Sequence, residues 1–149
     1  MNKYLPEGSL IATHENREYI ASVAGLEKAM AAGKILEGMA VMCDGELNLT
    51  VDLCGIKGVI PKEEAVLSEG ECKDIAVITR VGKPVCFKVI GMEGGKAILS
   101  RRSAQIECMR NHVLTLVPGD IIDSKVTHME QFGAFVDIGC GMLTVNLGP

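Results

Sequence analysis

Residues 118–138 read Pro-Gly-Asp-Ile-Ile-Asp-Ser-Lys-Val-Thr-His-Met-Glu-Gln-Phe-Gly-Ala-Phe-Val-Asp-Ile. This stretch predicts two strands, over residues 121–129 and 132–138, because β-branched and aromatic residues lie between turn-forming ones. A third strand is expected to begin within residues 142–147. In a regular first strand, one face carries Ile122, Ser124, Val126 and His128, and the other carries Asp123, Lys125 and Thr127.

The composition restricts the kinds of binding site that the chain can hold. Hydrophobic residues make up 48% of the 149 residues and aromatic residues only 3%, so the core is expected to be aliphatic. Phe132 and Phe135 therefore stand out as a close pair of rings. The net charge is −4, whereas proteins that hold duplex DNA through its phosphates are usually basic. Any nucleic-acid binding should depend on stacking and a local basic patch, with no DNA specificity.

The cysteines and the N-terminal residues predict a cytoplasmic protein. Six cysteines are present and none forms a Cys-x-x-Cys pair, so the spacing of a zinc site is not found. The first ten residues lack the pattern of a signal peptide, and no apolar run is long enough to span a membrane. We therefore expect reduced cysteines in the core rather than disulfides, no metal and no membrane partner.

Residues 1–33 predict an N-terminal helical segment. Thr13 is a suitable cap for a helix over residues 14–20, and Ser22 is a suitable cap for a second helix over residues 23–32. The favoured interpretation is that these helices cover a neighbouring barrel, and the alternative is a helix that binds a partner. Apolar residues at helical spacing form a stripe made of Ile20, Val23, Leu26 and Met30.

Residues 34–104 predict a small all-β barrel. Leucine and valine alternate with polar residues along residues 47–53, which is the pattern of a half-buried strand. The preceding Asp44-Gly45 suits a tight hairpin. About five strands in roughly 70 residues fit a Greek-key barrel. The strand segments are expected at residues 39–43, 47–53, 56–60, 75–81, 85–92 and 97–101.

Residues 105–117 predict a linker helix, and residues 118–149 predict the N-terminal part of a second β-module. The two modules resemble each other at an offset of 85 residues, which pairs Val41 with Val126 and residues 47–53 with residues 132–138. The second module is too short for a complete barrel, which favours a truncated module; a docked hairpin is the alternative. The apolar face of the linker helix is expected to contain Ile106, Met109, Val113 and Leu116.

The stretch at residues 118–138 resembles the opening of a ribosomal protein S1 RNA-binding domain. That family starts with Pro-Gly-Asp, as at residues 118–120, and carries Phe-Gly-Ala-Phe-Val-Asp on its second strand, as at residues 132–137. Residues 55–61, Gly-Ile-Lys-Gly-Val-Ile-Pro, resemble its third strand, and residues 99–102, Leu-Ser-Arg-Arg, resemble its closing strand. The chain as a whole is similar to the short, Gram-positive form of S1-like proteins.

The resemblance implies a mainly β fold with a five-stranded OB-fold Greek-key barrel, an N-terminal helical segment, a linker helix and an incomplete second OB-fold module. It also implies binding of single-stranded RNA, such as mRNA, in translation, with the small ribosomal subunit as a further partner. The two stacking aromatic residues of the family correspond to Phe132 and Phe135. The first module has Leu47 and Thr50 in their place, so its RNA-binding face is degenerate.

The residues predicted to contact RNA in the second module are Phe132, Phe135, His128 and Lys125. A ring that stacks on a base contributes ~1–3 kcal/mol per base and tolerates any base, which makes the two phenylalanines the leading candidates. Burial of both rings in a barrel core is the alternative. His128 and Lys125 are expected to add a stacking or phosphate contact nearby.

Basic residues late in the first module are the other candidates. Lys88, Arg101 and Arg102, together with Arg80 and Lys83, are expected to line a groove for phosphates, and an ordinary solvated face is the alternative. The sequence contains no readable catalytic constellation, so we expect neither an enzyme nor a cofactor. The rival function is a module that docks onto the ribosome or another protein and has little RNA affinity of its own.

Overall fold

The computed structural model describes residues 4–146. Its N-terminal segment folds into helices α1 (His14–Ile20) and α2 (Val23–Ala32), as the sequence predicts. The side chain of Thr13 accepts a hydrogen bond from the backbone N–H of Asn16, and that of Ser22 caps α2 in the same way. Gly33 ends α2 in the left-handed conformation, with φ 65°.

Five strands form the predicted closed barrel. They are β1 (Leu36–Cys43), β2 (Leu49–Leu53), β3 (Ile56–Ile60), β4 (Pro84–Glu93) and β5 (Lys96–Ser100). The strand order is β1-β2-β3-β5-β4, and β3 pairs with β5 in parallel while the other pairs are antiparallel. This arrangement confirms the mainly β fold with an OB-fold-like barrel.

The barrel core is aliphatic, as the composition predicts. Its one fully buried aromatic side chain among the described residues is Phe87, on β4. Leu26 and Ala29 on one face of α2 are also fully buried in this core, so the helical segment covers the barrel. Asn16 on α1 exchanges hydrogen bonds with both backbone groups of Glu37, at 2.7 and 2.9 Å, which fixes α1 against β1.

The strand predicted over residues 75–81 is wrong, because this segment forms a short helix, α3 (Asp74–Ile78). Of its apolar residues only Val77 is buried, whereas Ile75 and Ile78 are exposed. A short apolar run does not distinguish a strand from a helix by periodicity alone. The five strands already close the barrel, so α3 belongs to the connection between β3 and β4.

The linker helix predicted over residues 105–117 has the wrong bounds and the wrong buried face. Helix α4 spans Arg101–Asn111 and starts directly after β5, because the Ser100 side chain caps it. A short 3-10 helix, Val113–Thr115, follows. The helix packs against β4 rather than only joining two modules. The residues that α4 buries are Arg101, Ala104, Gln105 and Cys108, instead of the predicted Ile106, Met109, Val113 and Leu116.

The second module is a three-stranded antiparallel sheet in the order β6-β7-β8. Its strands are β6 (Lys125–Glu130), β7 (Gly133–Asp137) and β8 (Leu143–Asn146). The first predicted strand therefore begins four residues too early, and Ile121 is almost fully exposed at 98%. The end of the predicted third strand, Leu147, lies outside the described residues.

The strand register shows that the two modules repeat, with one correction to the predicted alignment. Strand β1 loses register with β2 between Ala40 and Met42, and β6 loses register with β7 between Val126 and His128. The Ala40–Val51 pair of the first module corresponds to the Val126–Val136 pair of the second. In the same way, the Met42–Thr50 pair corresponds to the His128–Phe135 pair. Val126 thus corresponds to Ala40, not to Val41, because the β1–β2 turn is one residue longer.

The same bulge corrects the predicted faces of the first strand in the second module. Residues paired across two antiparallel strands point to the same face. Val126 pairs with Val136 and His128 pairs with Phe135, while Val136 and Phe135 are neighbours on opposite faces of β7. Val126 and His128 therefore point to opposite faces, because a bulge at Thr127 shifts the alternation by one residue.

Candidate nucleic-acid interface

Three rings form a continuous patch on one face of the second module, which we call the aromatic surface: Phe132, Phe135 and His128. The ring centroids of Phe132 and Phe135 are 6.0 Å apart with an interplanar angle of 83°, an edge-to-face contact. The rings of His128 and Phe135 are 5.9 Å apart and tilted by 31°. Phe132 is 54% exposed and Phe135 is half-buried, so neither ring belongs to the buried core.

Two backbone features bring these rings together. The bulge at Thr127 turns His128 to the face of its partner Phe135. Phe132 lies in the turn before β7, and Gly133 follows with φ 154°, a conformation that L side chains rarely adopt. Because of this bend, two phenylalanines three residues apart contact each other instead of pointing to opposite faces of a flat strand.

Lys125 and Val145 extend the aromatic surface at either side. Lys125 is exposed and pairs with Asp137, two residues from Phe135 along β7, so it points to the same face as the rings. Val145 on β8 pairs directly with Phe135 and is 41% exposed. The sequence did not indicate Val145, because no alternating pattern marked residues 142–147 as the neighbour of the ring-bearing strand.

Glu130 adds a negative charge at the edge of the aromatic surface. Its Oε1 lies 2.6 Å from Nε2 of His128, and both side chains are exposed. The pair fixes the orientation of the imidazole beside Phe135. The predicted first strand ended at residue 129 and so left out Glu130, whereas β6 includes it and residues two apart on a strand share a face.

The placement of Arg101 contradicts its predicted role as an RNA contact. Its guanidinium is buried and donates two hydrogen bonds to the carboxylate of Glu7, both 2.7 Å long. A third hydrogen bond runs from Arg101 to the carbonyl oxygen of Ala65 at 3.1 Å. Burial alone would raise the pKa of Glu7, but the charge and hydrogen bonds of Arg101 hold that pKa below its ordinary value. Arg101 is therefore a structural residue.

The other basic residues do not form the predicted open groove. Lys88 is paired with Glu107 at 2.6 Å, and Arg80 is paired with the same Glu7 that binds Arg101, at 3.2 Å. Lys83 and Arg102 are the exposed members of the predicted phosphate contacts in the first module. Because pairing occupies two of these cations and burial removes a third, the arrangement offers little positive charge to a phosphate backbone.

The first module carries no aromatic residue at the positions that correspond to the aromatic surface. Met42, Thr50 and Val59 are aligned across β1, β2 and β3. Their counterparts across β6, β7 and β8 are His128, Phe135 and Val145. The first module thus has the same aligned rows on its three strands as the aromatic surface, but these positions carry no ring.

The described residues contain no group of three His, Cys, Asp or Glu side chains that could hold a metal ion. Within residues 4–146, every helix is too short or too polar to cross a lipid bilayer.

The fold and the surface define a class of protein: an OB-fold-like barrel followed by a partial second copy that bears an exposed aromatic patch. No family model matches the chain. The chain is 31% identical over 139 residues to small ribosomal subunit protein bS1 of Staphylococcus aureus, which covers 89% of this chain and 34% of that protein. It is therefore an S1-like protein, related to the bS1 family.

Two further relatives carry the same name. The chain is 25% identical over 124 residues to bS1 of Leuconostoc lactis, covering 82% of this chain and 28% of the relative. It is 35% identical over 98 residues to bS1 of Staphylococcus epidermidis, covering 62% of this chain and 24% of the relative. The chain thus spans about a third or less of the length of these curated relatives.

Proposed function

We propose that this chain binds single-stranded RNA in translation and that the aromatic surface is its binding site. One observation carries the proposal: an S1-like chain presents three contiguous, solvent-accessible rings on one face of its second module. Rings of this kind stack on unpaired bases whatever their identity. The proposed ligand is therefore a single strand such as mRNA, recognised without strong sequence preference.

In the proposed mechanism, one base stacks on Phe132 and a neighbouring base on Phe135 or His128. Stacking contributes ~1–3 kcal/mol per base. Lys125 lies on the same face and supplies a cation for the phosphate backbone, whereas Glu130 opposes phosphates close to His128. Affinity should thus depend mainly on stacking and only weakly on salt, because few cations are available.

The binding partners that we propose for the chain follow from the names of its relatives. Those relatives are named as proteins of the small ribosomal subunit, which supports association with that subunit, a cytoplasmic location and a non-enzymatic role. We divide the chain for this function into the helical segment 1–33, the first barrel 34–104, a linker 105–117 and the second module 118–149. In this division, the first barrel supports the second module and binds little RNA.

A second function, docking onto a ribosomal or other protein, is favoured by one observation on the first barrel. Met39, Val41 and Met42 on β1 are exposed, by 37%, 52% and 51%. Exposed methionines adapt to irregular partner surfaces, and an exposed apolar patch commonly marks a protein contact. Recovery of the same protein partner after ribonuclease treatment, and its loss on Met42→Lys, would favour docking.

Fluorescence anisotropy with a labelled single-stranded RNA tests the proposed RNA site. We expect Phe132→Ala and Phe135→Ala each to weaken binding by about 5-fold or more, because each removes a stacking ring. Leu114→Ala is the matched control, since Leu114 is 72% exposed but lies outside the aromatic surface. Equal affinity of all four proteins would contradict the proposed site.

A further inference from the structure

Three cysteine thiols from three separate elements meet at the junction of the two modules, which we call the thiol cluster. Cys86 lies on β4, Cys108 on α4, and Cys140 in the turn between β7 and β8. Their exposures are 1%, 0% and 4%, and they pack together in an apolar cluster with Tyr4 and Ala104. The barrel, the helix and the second module therefore each contribute one thiol.

The three cysteines belong to one buried cluster of packed side chains. The Sγ atom of Cys86 also lies 3.5 Å from the carbonyl oxygen of Cys140, to which it donates. A Cβ atom added to Gly139 would lie only 2.8 Å from Sγ of Cys108, so the sulfur of Cys108 presses against the turn that carries Cys140.

Backbone and side-chain hydrogen bonds hold Cys140 in this position. Its N–H donates to the carbonyl oxygen of Leu5, and its carbonyl oxygen accepts from the side chain of Gln105, both at 3.0 Å. Asp137 closes the same turn by accepting from the N–H groups of Gly139 and Gly141, at 2.9 and 3.1 Å. The contact between the thiols is thus a fixed feature of the fold rather than a chance approach of two mobile loops.

A cavity of about 480 Å³ leads to the thiol cluster from the surface. Cys86, Cys140 and Glu37 line it, and so do the exposed residues Glu15 and Gly33. A small disulfide or a peroxide is far smaller than this volume. The cavity therefore gives a low-molecular-weight oxidant a route to Cys140, although the thiol itself is buried.

We propose that Cys108 and Cys140 form a disulfide when a small-molecule disulfide enters this cavity. The deprotonated sulfur of Cys140 attacks the small disulfide, which forms a mixed disulfide and releases one small thiol. The sulfur of Cys108 then gives up its proton and attacks Cys140, which forms the intramolecular bond and releases the second small thiol. Cys108 and Cys140 are thereby oxidised, and one small disulfide is reduced to two thiols.

We assign Cys108 as the resolving residue. The thiol of Cys86 donates a hydrogen bond to the carbonyl oxygen of Cys140, whereas the sulfur of Cys108 lies against the backbone of the turn that carries Cys140. The interaction with Cys108 and burial both raise the pKa of the Cys140 thiol, so the reaction is slow and needs a sustained excess of oxidant. The product joins α4 to the β7–β8 turn and locks the second module onto the first, whether or not the aromatic surface binds RNA.

Peptide mapping of the oxidised wild-type protein tests the pairing. The protein is incubated with excess hydroxyethyl disulfide, its free thiols are blocked, and it is digested with trypsin without reduction. The three cysteines fall on separate tryptic peptides, at residues 81–88, 103–110 and 126–149. We expect peptide 103–110 linked to peptide 126–149 in monomeric protein. A link from 81–88 to 126–149, or unreacted Cys140 beside modified Cys54, would overturn the proposal.

Thermal unfolding gives a second measurement with a matched control. Oxidation should raise the Tm of the wild type by about 5–10 °C, reversibly on reduction, because the bond closes a long loop in the unfolded chain. Cys108→Ser should abolish this increase, whereas Cys54→Ser, at an exposed turn, should retain it. If Cys108→Ser fails to fold, peptide mapping of the wild type decides; an unchanged wild-type Tm after complete oxidation would contradict the lock.

Discussion

At the residue scale, Arg101 was predicted to contact RNA but is a buried residue that stabilises the fold. Arg101 and Glu7 form a buried, bidentate ion pair although they are 94 positions apart. The sequence pattern Leu-Ser-Arg-Arg could identify a basic pair but not which of the two arginines is buried. The partner lies in an N-terminal segment with no recognisable pattern, so this contact was not predictable from local sequence.

Removal of one partner of this ion pair should strongly destabilise the protein. We expect Arg101→Met to lower the free energy of unfolding by about 3–5 kcal/mol, because the buried carboxylate of Glu7 loses a positive charge and two hydrogen bonds. Arg102→Met is the matched control on the exposed side of α4 and should change stability by less than about 0.5 kcal/mol. Urea unfolding measures both, and equal stability of the two variants would contradict the structural role of Arg101.

At the element scale, strands with clear alternation were predictable, and elements set by caps or bulges were not. Strand β2 follows the predicted pattern, with Leu49, Val51 and Leu53 fully buried. The start of α4 was missed because Ser100 ends β5 and caps α4 at once. The bulge at Thr127 was missed because a one-residue insertion in a strand leaves no mark in the composition.

Ser100 should therefore be a sensitive position for the joint between barrel and helix. Its hydroxyl accepts from the N–H of Ser103 at 2.9 Å and donates to the carboxylate of Glu64 at 2.6 Å. We expect Ser100→Ala to lower the free energy of unfolding by about 1–2 kcal/mol, since it removes a helix cap and the donor to the half-buried carboxylate of Glu64. Ser68→Ala, at an exposed loop, should have almost no effect in the same denaturant titration.

At the scale of the whole molecule, the second module repeats the first three strands of the barrel, including the bulge. The sequence repeat indicated this relation, and the register corrects its alignment by one residue on the first strand. The junction between the modules could not be predicted, because it brings together the N-terminal segment, α4 and the β7–β8 turn. Hydrogen bonds from Glu7 to Asp137 and from His112 to Ile138, both at 2.9 Å, belong to this junction.

The aromatic surface and the corresponding surface of the first barrel lie in the same molecule, so their responses to RNA can be compared directly. The row that contains Phe135 and His128 bears rings, while the corresponding row with Thr50 and Met42 bears none. If stacking drives RNA binding, the two rows should respond differently to the same ligand, although their backbones match. A general electrostatic attraction to RNA would not distinguish them in this way.

Nuclear magnetic resonance of the ring and methyl signals during titration with a single-stranded RNA tests the central claim most directly. We predict progressive shifts of the ring signals of Phe132, Phe135 and His128, with the methyl signals of Met42 and Thr50 unchanged. Shifts confined to Met42 and Thr50, or an absence of shifts at all five residues under saturating RNA, would contradict the account.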